Sequence, residues 1–135
     1  LLEYSDILKN KGDKNEDIED KRDFNSNYED KDPRISKVLN DLNFSVNEYK
    51  EKMESISKLV DEDHENYDYL VDFAKARFKY GAAAAKKEIL YYSKKSKEEP
   101  NNEKYSQNLR SYREEILKLE KDLIEDLNTI KNEYY

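Results

Sequence analysis

The lone histidine of the sequence, His64, sits in the acidic run Asp61-Glu62-Asp63-His64-Glu65. Asp61 lies three residues ahead of it, the offset at which one helix face offers a carboxylate and an imidazole to the same metal ion. Di-metal bundles need such a pair on each of two helices plus two further inward carboxylates, and there is no second histidine to complete the set. The run therefore reads as a helix-capping turn. Calcium finds no better site there, because the ordered ligand spacing of an EF-hand is missing. The serines have no histidine at a spacing that suggests a Ser-His-acid triad. Cysteine is absent, which removes disulfides, thiolate metal sites and a cysteine nucleophile. Gly12 and Gly81 stand too far apart to form a phosphate-cradling loop. Carboxylate pairs are plentiful, but none is set apart from the rest, as on solvated helix faces. No catalytic residue, metal ligand or cofactor is expected, and the chain reads as a non-enzyme.

Phosphate recognition is the next chemistry to weigh. Residues 73–97 hold eight bases and a single acid, Glu88, in a chain whose net charge is −7. Lys75, Lys79, Lys86 and Lys97 project along one side of a helix with tyrosines between them, but the acidic segments on either side would repel a polyanion. Nucleic acid is not an expected partner. The basic stretch is expected either to pair with acidic neighbours in the same fold or to steer an acidic partner.

The side chains best suited to recognition are aromatic. Tyr69, Phe73, Tyr80, Ala84 and Tyr91 form a stripe about 110° from the core-facing stripe of the same helix, at 100° per residue, and Arg77 lies beside it. A helix in a bundle needs only one apolar face, so a second one is either covered by the leading Leu1–Leu8 segment, by Phe24 and Tyr28, or by a partner. Tyrosine and arginine are enriched at binding hot spots, and Tyr69, Phe73, Arg77, Tyr80 and Tyr91 are the expected partner-binding residues.

The elements that position them follow from composition and spacing. Hydrophobic residues make up 36% and charged residues 42%, against a usual 45–50% and about 25%. With only two glycines and two prolines, this favours long amphipathic helices over a turn-rich sheet. A chain of 135 residues suits one domain with a modest core. Leu1, Tyr4 and Leu8 are expected to share a face of a short N-terminal helix, and residues 10–32 to form an acidic tether with few apolar side chains. Order is expected from Asp32-Pro33, a cap followed by a first-turn proline. Ile35, Leu39, Leu42, Val46, Tyr49, Met53, Ile56 and Val60 then alternate spacings of four and three, which predicts one continuous helix. A turn at Asp61–Asn66 leads to a second helix reaching about Lys97, with a core stripe of Tyr67, Leu70, Val71, Ala74, Phe78, Gly81, Ala85, Ile89 and Tyr92. Pro100 ends that helix and Asn101 or Asn102 caps the third. The third carries Tyr105, Leu109, Tyr112, Ile116, Leu119, Leu123, Leu127, Ile130 and Tyr134 inward. The fold class is all-α: an antiparallel up-down-up three-helix bundle over residues 33–135, preceded by the short helix and tether of residues 1–32.

All six alanines lie between Ala74 and Ala85. Small residues at mid-height of the middle helix let neighbouring backbones approach, with Phe78, Phe44 and Tyr112 expected to fill the space between.

The tether "KNKGDKNEDIEDKRDFNSNYEDKD", followed by a cysteine-free, tyrosine-bearing helical region, resembles the surface lipoproteins of Borrelia spirochaetes. The likeness runs along the whole chain and is one of composition. It implies a bacterial cell-surface location and capture of a host plasma or matrix protein, such as the complement regulator factor H. Membrane attachment would run through a lipidated cysteine, which the chain lacks. The rival expectation is a cytoplasmic or assembly scaffold whose helices extend into an oligomeric coiled coil. The opening "LLEYSDILKN" lacks a signal peptide's basic-then-apolar layout, and no apolar run approaches a membrane span.

Overall fold

A computed structural model describes residues 28–134. The expected N-terminal helix and most of the expected tether lie outside these residues. Among the described residues the fold is an all-α antiparallel bundle of four helices: α1 (Pro33–Asn40), α2 (Val46–Glu62), α3 (Tyr67–Glu98) and α4 (Glu103–Tyr134). No helix among the described residues is long and apolar enough to cross a membrane.

Local chemistry sets most boundaries where the sequence places them. Asp32 accepts from the Arg34 N–H and Pro33 opens α1, so the orphan donors of the first turn are met by a side chain and by a residue that has none. Asn66 caps α3 by accepting from the Tyr69 N–H at 3.2 Å, and Asn102 accepts from the Lys104 N–H at 3.1 Å ahead of α4.

The expected continuous first helix is two helices. Residues 41–45 form a bend, although the apolar 3–4 spacing runs through it. A Ser45 N-cap restarts the helix: the Glu48 N–H donates to Ser45 Oγ at 3.2 Å, and Ser45 Oγ donates to the Glu48 carboxylate at 3.1 Å. The bend itself is held by the Tyr49 hydroxyl, which accepts from the Asn43 N–H at 3.0 Å. Removing the cap with Ser45→Ala is expected to cost about 1 kcal/mol, read as a shift of the urea midpoint.

The consequence of the bend is a change of partners. α2 runs antiparallel to α3, and no Cα of α2 comes within 8 Å of one in α4. α1 instead packs on both α3 and α4. Ile35, Leu39 and Leu42 thus join Tyr49, Ala82, Ala83, Ala85, Ile89 and Ile116 in one core, located where α1 meets the middle of the two long helices. α3 and α4 pair along their length, with Arg77 opposite Asp126, Gly81 opposite Leu119 and Tyr92 opposite Tyr112.

The alanines are explained by this crowding. α3 carries α2, α1 and α4 around its middle, and Ala82 and Ala83 are 0% exposed. A Cβ on Gly81 would meet Leu119 Cδ2 at 3.1 Å, so glycine there permits the close α3–α4 approach. Phe44, expected as core filler, is corrected: it stands in the bend at 41% exposed. The bend turns it away from the seam that Leu42 and Val46 follow.

The described residues also reach back before Pro33, into the expected tether. The Tyr28 N–H and C=O exchange hydrogen bonds with the Asn40 side-chain amide, both at 3.2 Å. The Asp30 N–H donates to Ser36 Oγ at 2.7 Å. Hydrogen bonds, together with the Tyr28 ring packed against the core, fasten this segment.

Candidate functional site

The five residues singled out for partner binding do not form one open surface. Tyr69, Phe73 and Tyr80 are half-buried, Tyr91 is 42% exposed and Arg77 only 8%. Arg77 is the correction among them. It turns toward α4 and pairs with Asp126, and its guanidinium lies 5.7 Å from the Phe73 ring centroid. Burial lowers its pKa and Asp126 works against that shift, so the pair is held in a partly dry setting between the helices. Arg77 sits near 300° on the α3 wheel when Ala74 is set to zero, about 50° from the centre of the aromatic stripe at 100° per residue. That puts it at the edge of the α4 contact.

The other four keep to one flank of α3. Helical projection sets the residues facing α2 (Asp72, Ala76, Lys79) about 155° from those facing α4 (Ala74, Phe78, Gly81, Ala85). Between them on one side, Ala82, Lys86 and Ile89 are fully buried. On the opposite side lie Tyr69, Phe73, Tyr80, Ala84 and Tyr91, which are half-buried or exposed. Tyr80 packs against the core, so its ring serves the fold as well as the flank.

Tyr91 is anchored by a tyrosine cluster. Its ring meets Tyr92 edge-on at 5.1 Å, Tyr92 stacks on Tyr112 at 5.9 Å with an interplanar angle of 15°, and Tyr105 lies 6.2 Å from Tyr92. Burial first, then the nearby Glu88 carboxylate, pushes the Tyr92 and Tyr112 hydroxyls up. These phenols stay neutral across the physiological range. Lys95 adds a cation 5.8 Å from the Tyr91 ring centroid. The arrangement gives Tyr91 a neighbouring ring to rest on and leaves it an apolar face and a polar tip, the property that makes tyrosine effective at interfaces.

Among the described residues no group of three or more His, Asp or Glu side chains is placed to hold a metal ion. His64 lies exposed in the α2–α3 turn. The α3–α4 cleft beside Arg77, lined by Ala74, Phe78, Leu119, Asp122, Leu123 and Asp126, has a volume of only about 10 Å³, enough for about one water molecule.

The sequence did not reveal that Tyr91 is braced through Tyr92 and Tyr112 on two helices. Its signal was the appearance of Tyr92, Tyr105 and Tyr112 on the two core stripes at matching heights of antiparallel helices.

Fold and site together define a helical bundle with an aromatic flank on its central helix. The chain matches no known protein family, no curated protein and no solved structure.

Proposed function

We propose that this protein is a non-enzymatic binding module, displayed on a bacterial cell surface, that holds a host plasma or matrix protein through the aromatic flank of α3. Factor H is the first partner to test, on the compositional resemblance to Borrelia lipoproteins. The observation that carries the reading is Tyr91, exposed yet resting edge-on against Tyr92, whose ring stacks on Tyr112 of α4, with Tyr69 and Phe73 along the same flank. Tyrosine has only two side-chain torsions to fix on binding, and a neighbouring ring restricts them further, which favours its use as an anchor.

The test is binding of immobilised full-length protein to purified factor H. Tyr91→Ala combined with Tyr69→Ala is expected to weaken capture at least tenfold with unchanged helical circular dichroism. Tyr80→Phe, which keeps the core packing, is expected to bind within a factor of about three of the parent. Absence of binding to factor H overturns the named partner, and equal binding by the Tyr69/Tyr91 double variant overturns the site.

A scaffold reading draws on Leu59 and Ile124, large apolar side chains exposed on α2 and α4. A mass by light scattering that rises with concentration favours it, and a constant monomer disfavours it.

A further inference from the structure

The bend at residues 41–45 does more than redirect α1. It leaves Phe44 beside a half-open groove between α2 and α3, with a volume of about 250 Å³, lined by Phe44, Tyr49, Lys52, Ile56, Asp72, Lys75, Ala76 and Lys79. Tyr49 and Ala76 form a buried floor and Ile56 a half-buried one. The Phe44 ring makes a wall, held edge-on against Tyr49 at 5.6 Å.

Three ammonium groups surround this apolar floor. Lys75 and Lys79 are one helical turn apart on α3, and Lys52 reaches across from α2 with its Nζ 3.7 Å from the Phe44 ring centroid. Among the described residues none of the three forms an ion pair. In a chain with a net charge of −7, three neighbouring lysines that have no carboxylate partner among the described residues are unusual company for an apolar pocket. Asp72 is the only acid of the lining, so the local balance is positive while the protein as a whole is negative. Such a contrast focuses an anion on one spot rather than spreading it over the surface.

The geometry points to a binding site for a small amphiphilic anion: one carboxylate or sulfonate head group on a short apolar body. The head group meets Lys75 and Lys79, and the body lies on Tyr49, Ile56 and Ala76 against Phe44. Size admits such an occupant. One water takes about 10–15 Å³ of such volume, so a groove of about 250 Å³ has room for a ten-carbon chain or a fused aromatic ring. This site is separate from the aromatic flank of α3 and does not depend on the function proposed for that flank.

The probe is 1-anilinonaphthalene-8-sulfonate, added to the full chain at 20 mM salt and followed by its fluorescence. One saturable site is expected, weakened several-fold at 300 mM salt because exposed charges are then screened. Decanoate is expected to displace the probe and decanol, which has no charge, to do so at least tenfold less well. Lys75→Glu with Lys79→Glu is expected to weaken binding at least tenfold, and Phe44→Ala three- to tenfold. Lys75→Gln with Lys79→Gln serves as the milder pair if the charge reversal unfolds the protein. Lys94→Glu with Lys97→Glu, at the exposed far end of α3, is expected to have no more than a twofold effect. Tyr91→Ala is expected to leave the probe's affinity unchanged. Equal loss from the groove and far-end pairs, displacement by decanol as effective as by decanoate, or absence of saturable binding would overturn the assignment.

Discussion

Ala82→Leu is expected to lower the free energy of unfolding by about 3 kcal/mol, whereas Ala84→Leu, two residues along the same helix, is expected to change it by less than about 1 kcal/mol. Both substitutions add the same three carbons and have the same small effect on helix propensity. What differs is the surroundings. Ala82 is 0% exposed and belongs to the core that α1 closes with Ile35, Leu39 and Leu42. A leucine there must displace one of those side chains or lift α1 from α3, since interiors at crystal-like density have no spare volume. Ala84 lies half-buried on the aromatic flank, where a longer side chain can lean into solvent. Urea denaturation of the two variants under identical conditions measures the difference. Equal midpoints would mean that α1 does not close on α3 as described.

Much of this arrangement was legible because helix caps and apolar spacing are local. Asp32-Pro33, Asn66 and Asn102 each carry the side chain that meets free backbone donors, and α3 ends at Glu98, just before the proline that forbids its continuation. The core stripes of α3 and α4 were legible for the same reason. The bend at residues 41–45 was not. Leu42 and Val46 keep the 3–4 rhythm across it, so the apolar pattern alone argues for one rod. The opposing signal, Ser45 three residues before Glu48, was present in the sequence but competes with that rhythm, and tertiary packing decided the outcome. Once the chain bends, α1 is free to fill the groove between α3 and α4, and Phe44 loses its place in the core.

The candidate site was less legible than the fold. A helical wheel places Arg77 at the margin of the aromatic stripe, but it cannot say that Asp126, 49 residues away, draws it under α4. It likewise puts Lys86 on a basic strip, whereas the structure buries that side chain almost completely and burial lowers its pKa. Both errors have one cause: the wheel treats charge as a sign of exposure, and long cationic side chains can bury their stems while their heads find polar company. Tyr91 was recognisable as aromatic and off the core stripe; its bracing through Tyr92 required knowing which residues of α4 stand opposite.

Asp30→Ala is expected to destabilise the protein by about 3 kcal/mol, a large effect for a residue outside every helix. The Asp30 side chain is only 2% exposed. Its carboxylate accepts from Arg113 Nε and Nη2, both at 2.7 Å, from the Tyr28 hydroxyl at 2.8 Å and from the Asp32 N–H at 2.9 Å. Burial alone would raise its pKa, but these hydrogen bonds outweigh burial and hold it at about 2. Alanine removes an acceptor shared by four donors and releases the segment that fastens α1 to α4. Arg113→Ala is expected to cost a similar amount, because it leaves a buried carboxylate without its cation. The double variant should be far less destabilised than the sum, with a coupling of about 2 kcal/mol. The pH dependence follows from the same contact. A carboxylate whose pKa is lower in the folded state contributes its full stabilisation above the unfolded value of about 4 and loses it as pH falls through about 2. The displacement from 3.8 to about 2 corresponds to about 2 kcal/mol. Between pH 5 and pH 2 the parent should therefore lose about 2 kcal/mol more than Asp30→Asn, as measured by urea midpoints at each pH. Parallel pH profiles for the two proteins would show that the Asp30–Arg113 contact does not hold the N-terminal segment to the bundle in solution.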